Sequence, residues 1–473
     1  MTNEDPNDWK SVSLALLKDP HDFLLWQLFV YCAEYQNEAL LDSTSTKAQQ
    51  DLLRHSYDAL LRKYPCLSKY WIAYAQWEWK FGSTSRADAV FRRGLRTLAL
   101  DVHYWLAYLT FRVETISEDV MEVAGVFEAA RENIGFHYYA YEFYSLYSSF
   151  LKTYATAENK FEDKLALLLR LIMEIPLYDY AALFRYILSF IEQKNNSFKH
   201  LTHFVGESTL KSIRNECQNN SSLIHKKIHK YVCDAYIVAQ YKSYELFKFE
   251  KAIPSSVSFT LDKVPVIARE TWEQYLVFSE FNYPYQYVVQ LYERCIYLNG
   301  TADVVERYTD YLVSRQKYAL ARSVLQKGIA LYAVHKSSSL LCRLVDLEIC
   351  MGRVVRARDL IASFLMCNKS SPVHVYDKLL EVEALVSRND EEHICSLVKE
   401  IISVTKSNSY FRKIRNFALS KERRGDFYLQ YVADGTAREM DLENCEAFWK
   451  GLRENADESK IASVKFPEAF AAK

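Results

Sequence analysis

His225 and His229, in the stretch HKKIHK, stand four residues apart and so share one face of a helix, a spacing that can bring two imidazoles to one metal ion. No Glu, Asp or Cys adjoins them and three lysines are interleaved, so the stretch reads as a solvated basic helix face. His200 and His203 lie in a polar stretch and carry the same reading. Ten cysteines are scattered without a CxxC pair, and in a chain of 473 residues they read as reduced, mostly buried, small apolar side chains. The phosphate loop GxxxxGK[ST], the dinucleotide turn GxGxxG, the nucleophile elbow GxSxG and the zinc helix HExxH are all absent. No catalytic, cofactor-binding or metal-binding residue is assigned, and an enzyme is the last of the readings.

Rings and positive charge offer a second kind of chemistry. HYYAYEFYSLYSSF, residues 137–150, could stack bases. Tyr141, Tyr144 and Tyr147 fit a packing register, which leaves Tyr138 and Tyr139 as candidate surface rings for a protein or RNA partner. Two basic clusters could touch phosphate or acidic peptide: FRRGLR (Arg92, Arg93, Arg96) and FRKIRNFALSKERR (Arg412, Lys413, Arg415, Lys421, Arg423, Arg424). Solvated faces are the simpler reading of both. The formal charge of −1 argues against broad phosphate binding, so contact with RNA is expected to be indirect or weak.

The elements that hold these residues are helices. Only 11 glycines and 9 prolines occur, too few for the turns of a sheet-rich fold. No apolar run approaches the roughly 20 residues of a membrane span. The opening MTNEDPNDWK is polar and acidic, without a secretory leader, which places the expected compartment in cytosol or nucleus. No membrane and no small-molecule substrate are implied.

WIAYAQWEW, residues 71–79, begins a repeat. Trp71, Tyr74 and Trp77 are followed by the link FGSTS and a second helix with Phe91 and Gly94. Trp105, Tyr108 and Phe111 stand 34 residues after Trp71, and Tyr141, Tyr144 and Tyr147 a further 36 on. AVFRRGL at 89–95 becomes GVFEAAR, with Phe127, at 125–131. The pattern returns as Trp272, Tyr275 and Phe278 with VVQLYERCI (Tyr292, Glu293, Arg294), then as Val305, Tyr308 and Tyr311 with ALARSVLQKGI (Ala321, Leu325). Leu341, Leu344, Leu347 and Glu348 with VRARDLIASF (Ala357) open another unit, and Trp26, Phe29 and Cys32 open the first.

Two helices every 33–36 residues mark an all-α solenoid. A spacing of three drifts about 60° per step on a helix, so the rings fan over a stripe that needs neighbours on two sides. Small residues on the second helix (Gly94, Ala130, Cys295, Gly328) let the pair approach closely. Glu78 lies about 20° from Trp71 and should point inward to an Arg, a Tyr hydroxyl or backbone donors. Trp79 is the ring that the repeat leaves unassigned.

W-x-x-Y-x-x-W-E followed by A-x-x-V-F-x-R-G-L resembles the HAT (half-a-TPR) repeat, over about residues 20–150 and 270–365. The order YPCLSKYWIAYAQWEWKFG, LRLIMEIPL, YKSYELFKFEKAI, ETWEQYLVFSEF and LYERCI is similar to the family of pre-mRNA-processing factors thirty-nine and forty-two, with the short lead before the first repeat pointing to the second. The resemblance implies a non-catalytic scaffold of the U1 snRNP in the nucleus, acting at 5′ splice-site recognition. Its implied partners are U1 snRNP proteins, U1 snRNA or pre-mRNA through weak contact, and a second copy or a HAT-repeat paralogue bound through the C-terminal repeats. A scaffold of mRNA 3′-end cleavage, of a later spliceosomal complex or of rRNA processing is the alternative, with a direct RNA-binding solenoid beside it. The expected organisation is an N-terminal array over 1–191, a polar insertion with a long connecting helix and extended link over 192–265, a C-terminal array over 266–455 and a tail over 456–473.

Overall fold

A computed structural model describes residues 9–193, 204–253, 266–386, 391–405 and 442–455, apart from 37–38, 116–118, 157, 219, 300, 332–333 and 369–370, together with 425–426 and 428–429. These residues build an all-α solenoid of helix pairs. The chain divides into two compact units, Met1–Asn299 and Gly300–Lys473.

In the first unit the pairs are Phe23–Glu34 with Lys47–Lys63, Ser68–Lys80 with Thr84–Leu98, Val102–Glu114 with Val120–Ile134, and Tyr141–Thr153 with Phe161–Glu174. Trp9–Lys18 precedes them; Tyr180–Gln193, Glu207–Glu216, the 30-residue Ser221–Glu250 and the pair Val266–Asn282 with Tyr285–Asn299 follow. The second unit pairs Ala302–Ser314 with Tyr318–Leu331, Val334–Cys350 with Val354–Cys367, and Val373–Val386 with Glu391–Thr405; Leu442–Asn455 is its last described helix. The first helix of a pair packs on its own partner and on the first helix of the next pair.

Local chemistry sets the helix ends. Asp22, Asp101, Asp119 and Asn220 each accept a hydrogen bond from a first-turn backbone N–H. Thr46 and Gln49 form a reciprocal capping box. Gly82 and Gly352 take positive φ (80° and 75°) in the tight links inside two pairs.

Two differences from the sequence expectation have clear causes. The longer link of the first repeat contains a ribbon of two-residue strands, with Tyr35 opposite Leu40; so short an element has no periodic signature. Within the polar insertion that opens the 192–265 segment, Glu207–Glu216 is helical and buries Leu210 and Ile213. Its polar composition is the outward face of an amphipathic helix.

Gly94 faces the next repeat. A Cβ there would run into the Tyr104 phenol and stand 3.1 Å from Trp71 Cδ2. Tyr104 cannot swing away, because it is fully buried and donates its hydroxyl to Phe91 O at 3.0 Å. Gly328 is confined in the same way by Leu340 and Val305. Gly94→Ala normally gains about 1 kcal/mol of helix propensity. Here it should lower the thermal midpoint, and an unchanged or raised midpoint would refute the close approach.

Candidate functional site

Successive repeats are joined by one recurring contact. An aromatic ring on the second helix of one pair stacks on a tyrosine of the next pair's first helix: Tyr57 on Tyr74 at 5.2 Å, Phe91 on Tyr108 at 5.1 Å, and Phe127 on Tyr147 at 4.7 Å. Phe249 on Tyr275, at 5.0 Å, repeats it at the end of helix Ser221–Glu250. In three of the four, the receiving tyrosine also donates its hydroxyl to a carboxylate of the preceding helix: Tyr108 to Asp88 (2.8 Å), Tyr147 to Glu128 (2.5 Å) and Tyr275 to Glu250 (2.9 Å). In the first stack it is the preceding Tyr57 that donates, to Glu34.

The first aromatic of the repeat has a second task. Trp26, Trp71 and Trp105 each donate the indole N–H to the carbonyl six residues upstream: Pro20 (3.0 Å), Pro65 (2.8 Å) and Ala99 (2.7 Å). The indole therefore ties each helix to the link that precedes it.

Buried carboxylates form the other tie. Glu78, 2% exposed, takes Arg54 Nε at 2.6 Å and Nη2 at 3.1 Å from the preceding pair. Glu250 takes Arg294 through both oxygens, at 2.7 and 2.8 Å, and the guanidinium lies 5.6 Å over Trp272. In the second unit, fully buried Glu348 has Arg322, Arg353 and Arg356 at 3.8–3.9 Å. Glu250, Asp88 and Glu128 were not found from the sequence, since nothing in the ring spacing marks a carboxylate on another helix.

Trp71, Tyr74, Trp77, Glu78, Phe91, Gly94, Trp105, Tyr108, Phe111, Phe127, Tyr144, Trp272, Tyr275, Tyr292, Arg294, Tyr308, Tyr311, Ala321, Leu325 and Ala357 are buried. Trp26, Tyr141, Phe278 and Glu293 are half-buried. Trp26 lies near the start of the stack, edge-on to Phe29 and Tyr64. Tyr141 lies off the buried face of its helix, which runs through Phe143, Tyr144, Tyr147 and Phe150. Tyr138, expected at the surface, is 2% exposed, because its hydroxyl reaches Ser243 on the long helix; Tyr139 is half-buried. Trp79 is 38% exposed and meets Phe111 edge-on at 5.4 Å. Of the first basic cluster, Arg92 pairs with Asp88 on its own helix and with Glu122 of the next repeat, and Arg93 pairs with Asp58 of the preceding one. The second cluster, Arg412, Lys413, Arg415, Lys421, Arg423 and Arg424, lies outside the described residues, as do the tail and the link 254–265. Among the described cysteines, Cys350 and Cys367 are exposed rather than buried.

Helix Ser221–Glu250 carries an outward stripe with Ile237, Tyr241 and Tyr244 more than 60% exposed, and Lys248 lies 5.4 Å over Tyr244. A cavity of about 370 Å³ opens between the start of helix Val102–Glu114, the turn into Tyr141–Thr153 and helix Tyr285–Asn299. Among the described residues, no cluster of three or more His, Cys, Asp or Glu could hold a metal ion, and no helix is long and apolar enough to cross a membrane.

Helix pairs stacked through rings and buried ion pairs define a repeat scaffold of the HAT class. The PRP39 N-terminal HAT repeat model matches residues 10–189 and the PRP39 C-terminal HAT repeat model residues 244–384, and the chain belongs to this family. It is 24% identical over 315 residues to Pre-mRNA-processing factor 39 of Schizosaccharomyces pombe, covering 62% of this chain and 49% of that protein. It is also 24% identical over 284 residues to the U1 small nuclear ribonucleoprotein component PRP42 of Saccharomyces cerevisiae, covering 58% and 51%. The chain thus spans about half the length of these curated relatives. Among solved structures, the crystal structure of CSTF-77 aligns over 81% of this chain and 80% of that one, at 11% identity and a TM-score of 0.40, too low to bear on function.

Two measurements check the ties. Burial, reinforced by the neighbouring carboxylates, raises the hydroxyl pKa values of Tyr57, Tyr108 and Tyr147, and pushes Tyr74 up to about 12. A folded pKa above the unfolded value near 10 gives stability that is complete below pH 10 and lost as pH rises further. The exposed tyrosines ionise first, near pH 10, and helicity should fall only at higher pH, together with the last of the phenolate absorbance; complete phenolate formation with helicity intact would contradict the burial. Separately, Arg294→Met strands the Glu250 carboxylate and should cost about 3–5 kcal/mol, partly restored by adding Glu250→Gln. Denaturant unfolding followed by circular dichroism measures both; a cost for the single variant below about 1 kcal/mol would mean that the pair is not desolvated.

Proposed function

We propose that this chain is a non-catalytic scaffold subunit of the U1 snRNP, acting in pre-mRNA splicing in the nucleus at 5′ splice-site recognition and early spliceosome assembly. The observation that carries the reading is the match of both PRP39 HAT-repeat models, together with a relative whose name makes it a U1 small nuclear ribonucleoprotein component. The side-chain chemistry supports it. The conspicuous rings, carboxylates and arginines are engaged in inter-repeat ties, so their role is to fix the spacing of surfaces. A stack in which each repeat touches its neighbours offers long exposed faces to proteins.

In this reading the arrays over 1–191 and 266–455 hold different partners. The second also mediates dimerisation, with another copy or with a HAT-repeat paralogue. RNA is reached through protein partners, in keeping with a formal charge of −1.

Chain carrying one tag, purified from nuclear extract that also contains a differently tagged copy, tests both parts. U1 snRNA and U1 core proteins should co-purify, along with the second copy or a HAT-repeat paralogue. Recovery of another RNA in place of U1 snRNA would overturn the assignment to this particle.

A further inference from the structure

The 370 Å³ cavity of the first unit is made by residues far apart in sequence. Gln290 fixes the closure: its side chain accepts from Phe136 N at 3.1 Å and donates to Glu132 O, more than 150 residues away. Helix Tyr285–Asn299 is thereby held beside the turn that follows Val120–Ile134, and Arg294, Tyr297 and Leu298 close one side of the opening.

Its walls have two characters. Tyrosines 139, 141, 178 and 297 supply ring surface, and Leu100, Leu106 and Leu298 supply apolar contact. Tyr178, 58% exposed, sits 5.5 Å from Tyr139. Asp101, Glu142 and Asp179 add three carboxylates. Among the basic lining groups, Arg294 has its charge countered by Glu250. His137 is held neutral, its pKa pushed well below the ordinary value by burial and by nearby Arg294. Asp101 caps its own helix and His103 also lines the opening, so the exposed Glu142 and Asp179 are the carboxylates placed to meet a cationic occupant.

We infer that this cavity receives an arginine side chain from a basic segment of a protein partner. An aliphatic stem suits the leucines, while a planar guanidinium can lie on tyrosine faces and donate to carboxylates at the same time. A volume of about 370 Å³ exceeds the need of one such side chain and admits its flanking backbone. Neither the ring spacing nor the repeat register uses Tyr178, Tyr297, Glu142 or Asp179. The inference rests on the scaffold reading only in making the occupant a protein segment; it is tested with the purified chain alone, so failure to recover U1 snRNA leaves it standing.

The test is fluorescence anisotropy of the full chain with a labelled Arg-Gly-Ser peptide, its citrulline counterpart and a uridine decamer, at about 0.1 M salt. The arginine peptide should bind with a Kd on the order of 10–100 µM, and the citrulline peptide about tenfold more weakly. Glu142→Gln/Asp179→Asn and, separately, Tyr178→Ala should each weaken the arginine peptide about tenfold. Glu142 and Asp179 are exposed, so the melting temperature of the double variant should not move; Tyr178→Ala also loses ring contacts with Tyr139 and Phe247 and is read at a temperature where it is fully folded. Glu207→Gln/Glu216→Gln removes two carboxylates elsewhere and should change nothing. No binding, equal binding of the citrulline peptide, equal weakening by the Glu207/Glu216 control, or tighter binding of the decamer at this cavity would each overturn the inference.

Discussion

The stack of one ring on another across repeat boundaries is the contact on which the first unit depends. In the first unit it recurs four times, with centroids 4.7–5.2 Å apart. Stacking alone would tolerate sliding, because ring faces are smooth on the scale of an ångström. The tyrosine hydroxyl removes that freedom by reaching a carboxylate on a different helix from its own in each of the four stacks. A hydrogen bond to a charged acceptor is directional and strengthened by burial, so one contact sets both the distance and the rotation between neighbours.

The buried ion pairs have a different significance. Burying a carboxylate is costly, and replacing a buried pair by apolar residues is often neutral. What Glu78 with Arg54 and Glu250 with Arg294 contribute is selectivity of register: a slipped helix would leave a charge without its partner. For a scaffold this matters more than raw stability. Partners bound on distant repeats feel the accumulated geometry of every boundary between them, and a stack built from nearest-neighbour contacts has no other means of holding long-range spacing.

Partner recognition can therefore be separated from folding. Core rings and ties lie between helices, whereas the exposed Ile237, Tyr241 and Tyr244 stripe, and Tyr178, Glu142 and Asp179 at the cavity, lie outside those ties. Replacing residues on those surfaces leaves the inter-repeat ties in place.

The sequence by itself determined the all-α class, the helix pairs and the inward direction of Trp71, Trp105, Tyr108, Tyr275 and Glu78, because a spacing of three residues recurring every 33–36 has one economical burial. It also determined that Glu78 needs a donor, though not that Arg54 supplies it. Tertiary structure decided what depends on distance through space. Tyr138 was expected outside and lies inside, because Ser243, 105 residues on, meets its hydroxyl. Tyr141 was expected in the core and is half-buried, because the buried face of its helix runs through Phe143, Tyr144, Tyr147 and Phe150, three residues on from the register read in the sequence. The carboxylates that receive the tyrosines, and the cavity closed by Gln290, join segments whose separation in sequence has no period. Periodicity reports which face of a helix is buried; only packing decides which residue waits on the other side.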